Sequence, residues 1–125
     1  MDLWGQLIGK KEQTLVVVDG EDWHEVPPSR ALDRSLAKRA TKEGWTDSEG
    51  GHEFHVLLTR SDSRDTTTRD ILVEIVVGGI LAERLGPDRA GRAIEQMRTN
   101  GAFATAAQAT ARVDAEGRWT VRVLL

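Results

Sequence analysis

The longest apolar stretch of the chain runs from Thr66 to Leu85 and reads TTTRDILVEIVVGGILAERL. At helical spacing, one wide apolar face collects Ile71, Leu72, Ile75, Val76, Gly79, Ala82 and Leu85. Thr67 or Thr68 can cap the first turn of a helix here, and Gly86-Pro87 is a typical stop signal. The pattern therefore predicts a buried helix over residues 68–85.

The same stretch is also rich in β-branched residues, which favour strands. The alternative interpretation is a strand over 71–77, a turn at Gly78-Gly79 and a short helix over 80–85. A membrane span needs about 20 mostly apolar residues. This run is shorter than that and is interrupted by charges at Glu74, Glu83 and Arg84, so we expect no membrane segment.

Shorter patterns predict the elements of the first half of the chain. The apolar runs Leu3–Ile8 and Thr14–Asp19 flank a polar turn and predict a hairpin. Ser29 can cap a helix that continues to about Glu43 and ends at Gly44. Its narrow apolar stripe indicates a surface helix, and consists of Leu32, Leu36 and Ala40.

The second half combines one alternating strand, one short helix and a hairpin. His52–Arg60 alternates like a strand, and Asp88–Arg98 follows Pro87 like a helix. Ala104–Val113 and Arg118–Leu125 flank the turn Asp114–Gly117 and predict a hairpin, although 106–111 could instead be helical. The order ββ-α-β-αα-ββ predicts one α+β domain over residues 1–125. We expect a mostly antiparallel sheet of about five strands with helices on one face.

Composition narrows the class of protein. The chain has 125 residues, no cysteine and a net charge of −3. Disulfides and thiolate metal sites are therefore excluded, and the negative net charge argues against nucleic acid as a partner. The amino terminus has no basic region followed by an apolar run, so we expect no signal peptide and a cytoplasmic location. Arginine outnumbers lysine, which is typical of a GC-rich bacterial gene.

A basic stripe is the first candidate site. Arg30, Arg34, Lys38 and Lys42 recur every four residues and share one side of the predicted helix, which Trp23 and Trp45 flank. Such a surface suits another protein with an acidic face, because cations steer association and tryptophan is enriched at interface hot spots. The alternatives are a solvated helix face and tryptophans that cover the core. Edge strands of the terminal hairpins could also support a homodimer.

Histidines and carboxylates give the alternative site, for a small ligand or an enzyme. Asp22 and His24 lie in one polar loop, and His52 and His55 begin the predicted strand. In a strand, residues three apart point to opposite faces, so the spacing of His52 and His55 argues against a shared metal ion. The sequence has no phosphate loop, dinucleotide fingerprint or nucleophile elbow. We therefore expect no cofactor, no metal and no catalytic residue, and the hypothesis is a non-enzymatic protein-binding domain.

Overall fold

The computed structural model describes residues 16–46, 51–62 and 71–125. Its elements are β1 (Trp23–Glu25), α1 (Arg30–Glu43), β2 (His52–Asp62), β3 (Ile71–Val77), β4 (Ile80–Leu85), α2 (Pro87–Asn100), β5 (Ala104–Val113) and β6 (Trp119–Leu124). The named strands of this part form one curled antiparallel sheet in the order β1-β6-β5-β2-β3-β4, and the helices pack on one face of it. The predicted α+β class is confirmed.

The predicted helix over 68–85 is wrong. Residues 71–77 and 80–85 are the paired strands β3 and β4, joined by Gly78 and Gly79 with φ of 57° and 81°. Alternate residues of β3 face the core, namely Val73, Ile75 and Val77. The two-residue period and the positive φ of both glycines are those of a hairpin. The alternative interpretation was right for the strand and the turn, but its helix over 80–85 is also strand.

This correction changes the predicted order of elements. The described order is β-α-β-β-β-α-β-β in place of ββ-α-β-αα-ββ. Most of the hairpin predicted at Leu3–Ile8 and Thr14–Asp19, and residues 68–70 of the predicted helix, lie outside the described residues. Within the described part, Val17 forms an isolated parallel bridge with Ala106.

The two other predicted helices, α1 and α2, begin and end close to the residues that predicted their ends. The Ser29 hydroxyl accepts a hydrogen bond from the Leu32 amide at 3.0 Å and begins α1. Gly44, in the left-handed region at φ 75°, ends it by donating its N–H to the carbonyl of Ala40. The helix predicted over Asp88–Arg98 is observed as α2, with Pro87 in its first turn.

The β5–β6 hairpin is confirmed, and its helical alternative is wrong. The Asp114 carboxylate accepts hydrogen bonds from the backbone N–H groups of Glu116 and Arg118, each at 2.9 Å. The N–H of Arg118 is the main cause that lowers the pKa of Asp114, because this bond favours the ionised carboxylate. Asp114 therefore fixes the turn that sets the register of β5 on β6.

One apolar core lies between the sheet and the helices. Its largest fully buried side chains include Leu32, Leu36, Leu58, Ile75 and Met97. The core-facing positions of β5 are small, namely Thr105, Ala107, Ala109 and Ala111. Short side chains in the middle of a sheet leave room for helices to approach closely.

The two edge strands of the sheet come together. β1 and β4 stand at opposite ends of the strand order. Even so, Nε2 of His24 on β1 lies 2.6 Å from Oε1 of Glu83 on β4. Helix α1 contacts both β6 and β4, so it packs across the same opening. The sheet is thus curled so far that side chains of its two edge strands meet.

Asp33 fastens α1 to β6, because its Oδ1 accepts a hydrogen bond from the Trp119 amide at 2.8 Å. Replacing Asp33 by alanine should lower the free energy of unfolding by about 1–2 kcal/mol, since a half-buried N–H loses its acceptor. Urea denaturation would measure this, with Asp33→Asn as the control that keeps an acceptor oxygen. A loss as large in Asp33→Asn as in Asp33→Ala would show that this hydrogen bond is not the cause.

Candidate functional site

The basic stripe, defined as Arg30, Arg34, Lys38 and Lys42, is fully formed on α1. All four side chains are exposed, while the opposite side of the helix buries Leu32, Leu36 and Ala40. Successive members are about 6 Å apart along the helix axis. Across residues 16–46, 51–62 and 71–125, no acidic side chain forms an ion pair with any of the four.

Trp45 does not project from the end of this helix. Its ring stacks on His52 at a centroid distance of 5.1 Å and also contacts Phe54 and Trp119. The guanidinium of Arg39 lies 4.7 Å from the centre of the Phe54 ring and 5.7 Å from that of Trp45. Trp45 is therefore half-buried over the core, which is the alternative that the sequence left open for it.

Trp23 lies on the other face of the sheet, which we call the outer face. It is 41% exposed on β1, where it alternates with the buried His24 and therefore points away from the core. The Arg122 guanidinium lies 4.5 Å from the centre of its ring. Because the helices pack on the inner face, Trp23 and the basic stripe do not form one surface.

The candidate ligand residues are not gathered in one place. His24 is buried on the inner face, and it borders a cavity of 260 Å³ together with Asp22. His52 is held by Trp45 and by the carbonyl oxygen of Thr46, 2.6 Å from its Nε2. His55 is exposed on the outer face. Within the described ranges, no three His, Asp or Glu side chains lie close enough to hold a metal ion.

Two features of the structure had no counterpart among the predicted sites. The first is the pairing of His24 with Glu83, which are 59 residues apart and lie on two strands, neither of which was predicted. The second is a cavity of 150 Å³ on the outer face, lined in part by Trp23, Glu53 and Gln108. Only Trp23 of these three was singled out from the sequence, because the outer-face register could not be known.

The unpaired cations of the basic stripe and the exposed Trp23 of the outer face thus lie at two separate places. No helix in the described ranges is long and apolar enough to cross a membrane. The basic stripe and the outer face around Trp23 are the two surfaces from which we infer a function. No protein-family model, no curated protein and no solved structure matches this chain.

Proposed function

We propose that this protein is a non-enzymatic binding domain of the adaptor, immunity, antitoxin or inhibitor type, and that its basic stripe contacts an acidic surface of another protein. The observation that carries the proposal is the line of four exposed cations along α1 without an acidic partner in the described part of the chain. Helix charges that serve only solubility are commonly interleaved with opposite charges at i+3 or i+4.

The surroundings of the stripe favour a protein partner over nucleic acid. The chain as a whole carries a net charge of −3, which repels a polyanion beyond the immediate contact. None of the residues of α1 from Arg30 to Lys42 is aromatic, so no ring within the stripe is available to stack on bases. A carboxylate-bearing protein surface needs only the cations themselves.

The same surroundings define how the contact would work. Without an apolar anchor between its cations, the stripe supplies electrostatic steering and orientation more than buried area. Association should therefore be fast and sensitive to salt, since exposed charges are screened over about 10 Å at 0.1 M salt. Trp45 contributes by fixing the end of α1, not by contacting the partner.

Charge reversal at Arg34 and Lys38 tests this proposal. We expect the Arg34→Glu, Lys38→Glu variant to bind its partner at least about tenfold more weakly, because attraction becomes repulsion at the centre of the stripe. The measurement is quantitative affinity capture from the native cells, with the partner identified by mass spectrometry and affinity then measured with the purified pair.

The matched control is Arg89→Glu, Arg98→Glu on α2, which changes the net charge equally at exposed helical positions. This variant should bind the same partner with wild-type affinity, and far-ultraviolet circular dichroism should show both variants folded. Equal binding by the wild type and both variants would exclude the stripe as the contact surface.

A further inference from the structure

The outer face brings together residues from three parts of the chain. Trp23 pairs with Leu124 in the β1–β6 register, and Gln108 pairs with His55 in the β5–β2 register. Successive antiparallel strands place these side chains in one row across the sheet, on the face without helices. The row is exposed at both ends, at Trp23 and at His55.

A small cavity lies in this row. Its volume is 150 Å³, below the roughly 300–1,000 Å³ typical of sites for drug-sized ligands. A space of this size suits one side chain better than a whole metabolite. Its lining residues are Trp23, Glu53, Phe54, His55, Gln108, Ala109 and Thr110.

Glu53 gives the cavity its charge. It is exposed at the border, and in the described part of the chain its carboxylate makes no hydrogen bond or ion pair. Thr110, one strand away on the same face, is 5% exposed and adds a buried hydroxyl. A carboxylate over a polar floor favours a ligand that carries positive charge and N–H donors.

Trp23 provides a matching aromatic wall. One side of its indole already holds a cation, since the Arg122 guanidinium lies 4.5 Å from the ring centre. Arg122 does not line the cavity, and its neighbour in the β1–β6 register is the acidic Glu25. Two carboxylates on the same face, Glu25 and Glu53, act against the repulsion that Arg122 would exert on a second cation.

We propose that this cavity binds the basic side chain of a partner peptide, a lysine or an arginine, between the Trp23 ring and the Glu53 carboxylate. The site is separate from the basic stripe. Because the cavity carries a carboxylate, its partner would be basic, whereas the partner of the stripe would be acidic. A second copy of this chain, which could offer its own stripe, is one source of such a side chain. An unrelated basic peptide is the source to which the proposal commits.

The test is a nuclear magnetic resonance titration of the full chain with N-acetyl-lysine methylamide and N-acetyl-arginine methylamide. We expect saturable shifts at the indole N–H of Trp23 and the amides of Glu53 and Gln108, with dissociation constants of about 1–10 mM for one side chain. The uncharged analogue N-acetyl-norleucine methylamide should produce no saturable shift.

Glu53→Gln is the informative variant, because it keeps the shape of the side chain and removes its charge. Its affinity for the lysine probe should fall at least about fivefold, whereas Glu95→Gln, an exposed carboxylate on α2, should bind as the wild type does. Unchanged affinity in Glu53→Gln, or the absence of saturable shifts in the wild type, would overturn the proposal. The same spectra report whether each variant is folded.

Light scattering at matched concentrations separates the two sources. A monomeric wild type that binds the lysine probe supports the peptide ligand. The opposite result is a wild type that self-associates, with this association lost both in Glu53→Gln and in the separate double variant Arg34→Glu, Lys38→Glu. That result would show that the basic side chain comes from a second copy, and it would overturn the assignment to a foreign peptide. Failure of the titration would leave the basic stripe and its own test untouched.

Discussion

Replacing Gly20 by alanine should lower the free energy of unfolding by about 3 kcal/mol. A Cβ at this position would lie 2.7 Å from the carbonyl oxygen of Leu124 and 2.7 Å from the carbonyl carbon of Leu125. These are backbone atoms at the end of the sheet, so they cannot turn away as a side chain could. A hydrogen bond of 2.8 Å from the Leu125 amide to the Asp22 carbonyl also holds this backbone in place, so it cannot easily move away from a new methyl group. Urea denaturation at equilibrium measures the loss.

Gly91→Ala is the matched control, because it adds the same methyl group where nothing lies within 4 Å. Gly91 is exposed on α2, and alanine is the better helix former by about 1 kcal/mol, so this variant should be more stable than the wild type. The same chemical change is thus expected to act with opposite signs. A neutral Gly20→Ala would show that the segment before β1 does not pack against the end of β6 in solution.

Elements with local end signals were predicted well from the sequence. The cap at Ser29 and the left-handed Gly44 act within one turn of α1, and Asp114 closes a turn with its immediate neighbours. Such signals depend on hydrogen bonds between residues only a few positions apart, so they form in the same way in different tertiary structures. The alternation of apolar and polar residues along β6 agrees with its two faces, since Val121 and Val123 are buried.

The β3–β4 hairpin was missed because its apolar residues fit both the two-residue period of a strand and the 3.6-residue period of a helix. Leu72 and Val76 point to the outer face and are half-buried there, so the run is apolar on both sides and also fills a helical stripe. The decisive signal was Gly78-Gly79 between β-branched residues. A glycine pair weakens a helix interior, whereas a two-residue hairpin turn of type I′ needs positive φ at both positions.

The candidate surface was predictable only where one element carries it. Four-residue spacing places the cations of α1 on one side regardless of tertiary structure, and they are exposed as the pattern indicated. Trp23 and Trp45 stand near the helix in sequence, but one lies on the outer face and the other covers the core. Their directions depend on strand register and packing, which hydrophobic periodicity does not encode.

Replacing Glu83 by alanine should lower the free energy of unfolding by about 2 kcal/mol. Its carboxylate Oε1 lies 2.6 Å from Nε2 of His24, whose side chain is 10% exposed. In the described part of the chain, the other ring nitrogen of His24 is buried without a hydrogen-bond partner. Loss of Glu83 would therefore leave a buried imidazole with no partner, at the point where the edge strands meet. Glu83→Gln should lose less, because an amide oxygen can still accept a hydrogen bond.

A double-mutant cycle would show whether the two edges are coupled. The cycle of His24→Ala with Glu83→Ala should give a coupling energy of about 1–2 kcal/mol, because the pair is largely buried. The adjacent cycle of Glu74→Ala with Arg84→Ala is the control. That ion pair has the similar length of 2.9 Å, but its Arg84 side chain is 57% exposed, so its coupling should stay below about 0.5 kcal/mol. If the buried pair coupled no more strongly than the exposed one, β1 and β4 would not be joined in solution. The curled sheet would then depend on its helices, and on the contacts of α1 with β6 and β4 in particular, to span the opening between its edges.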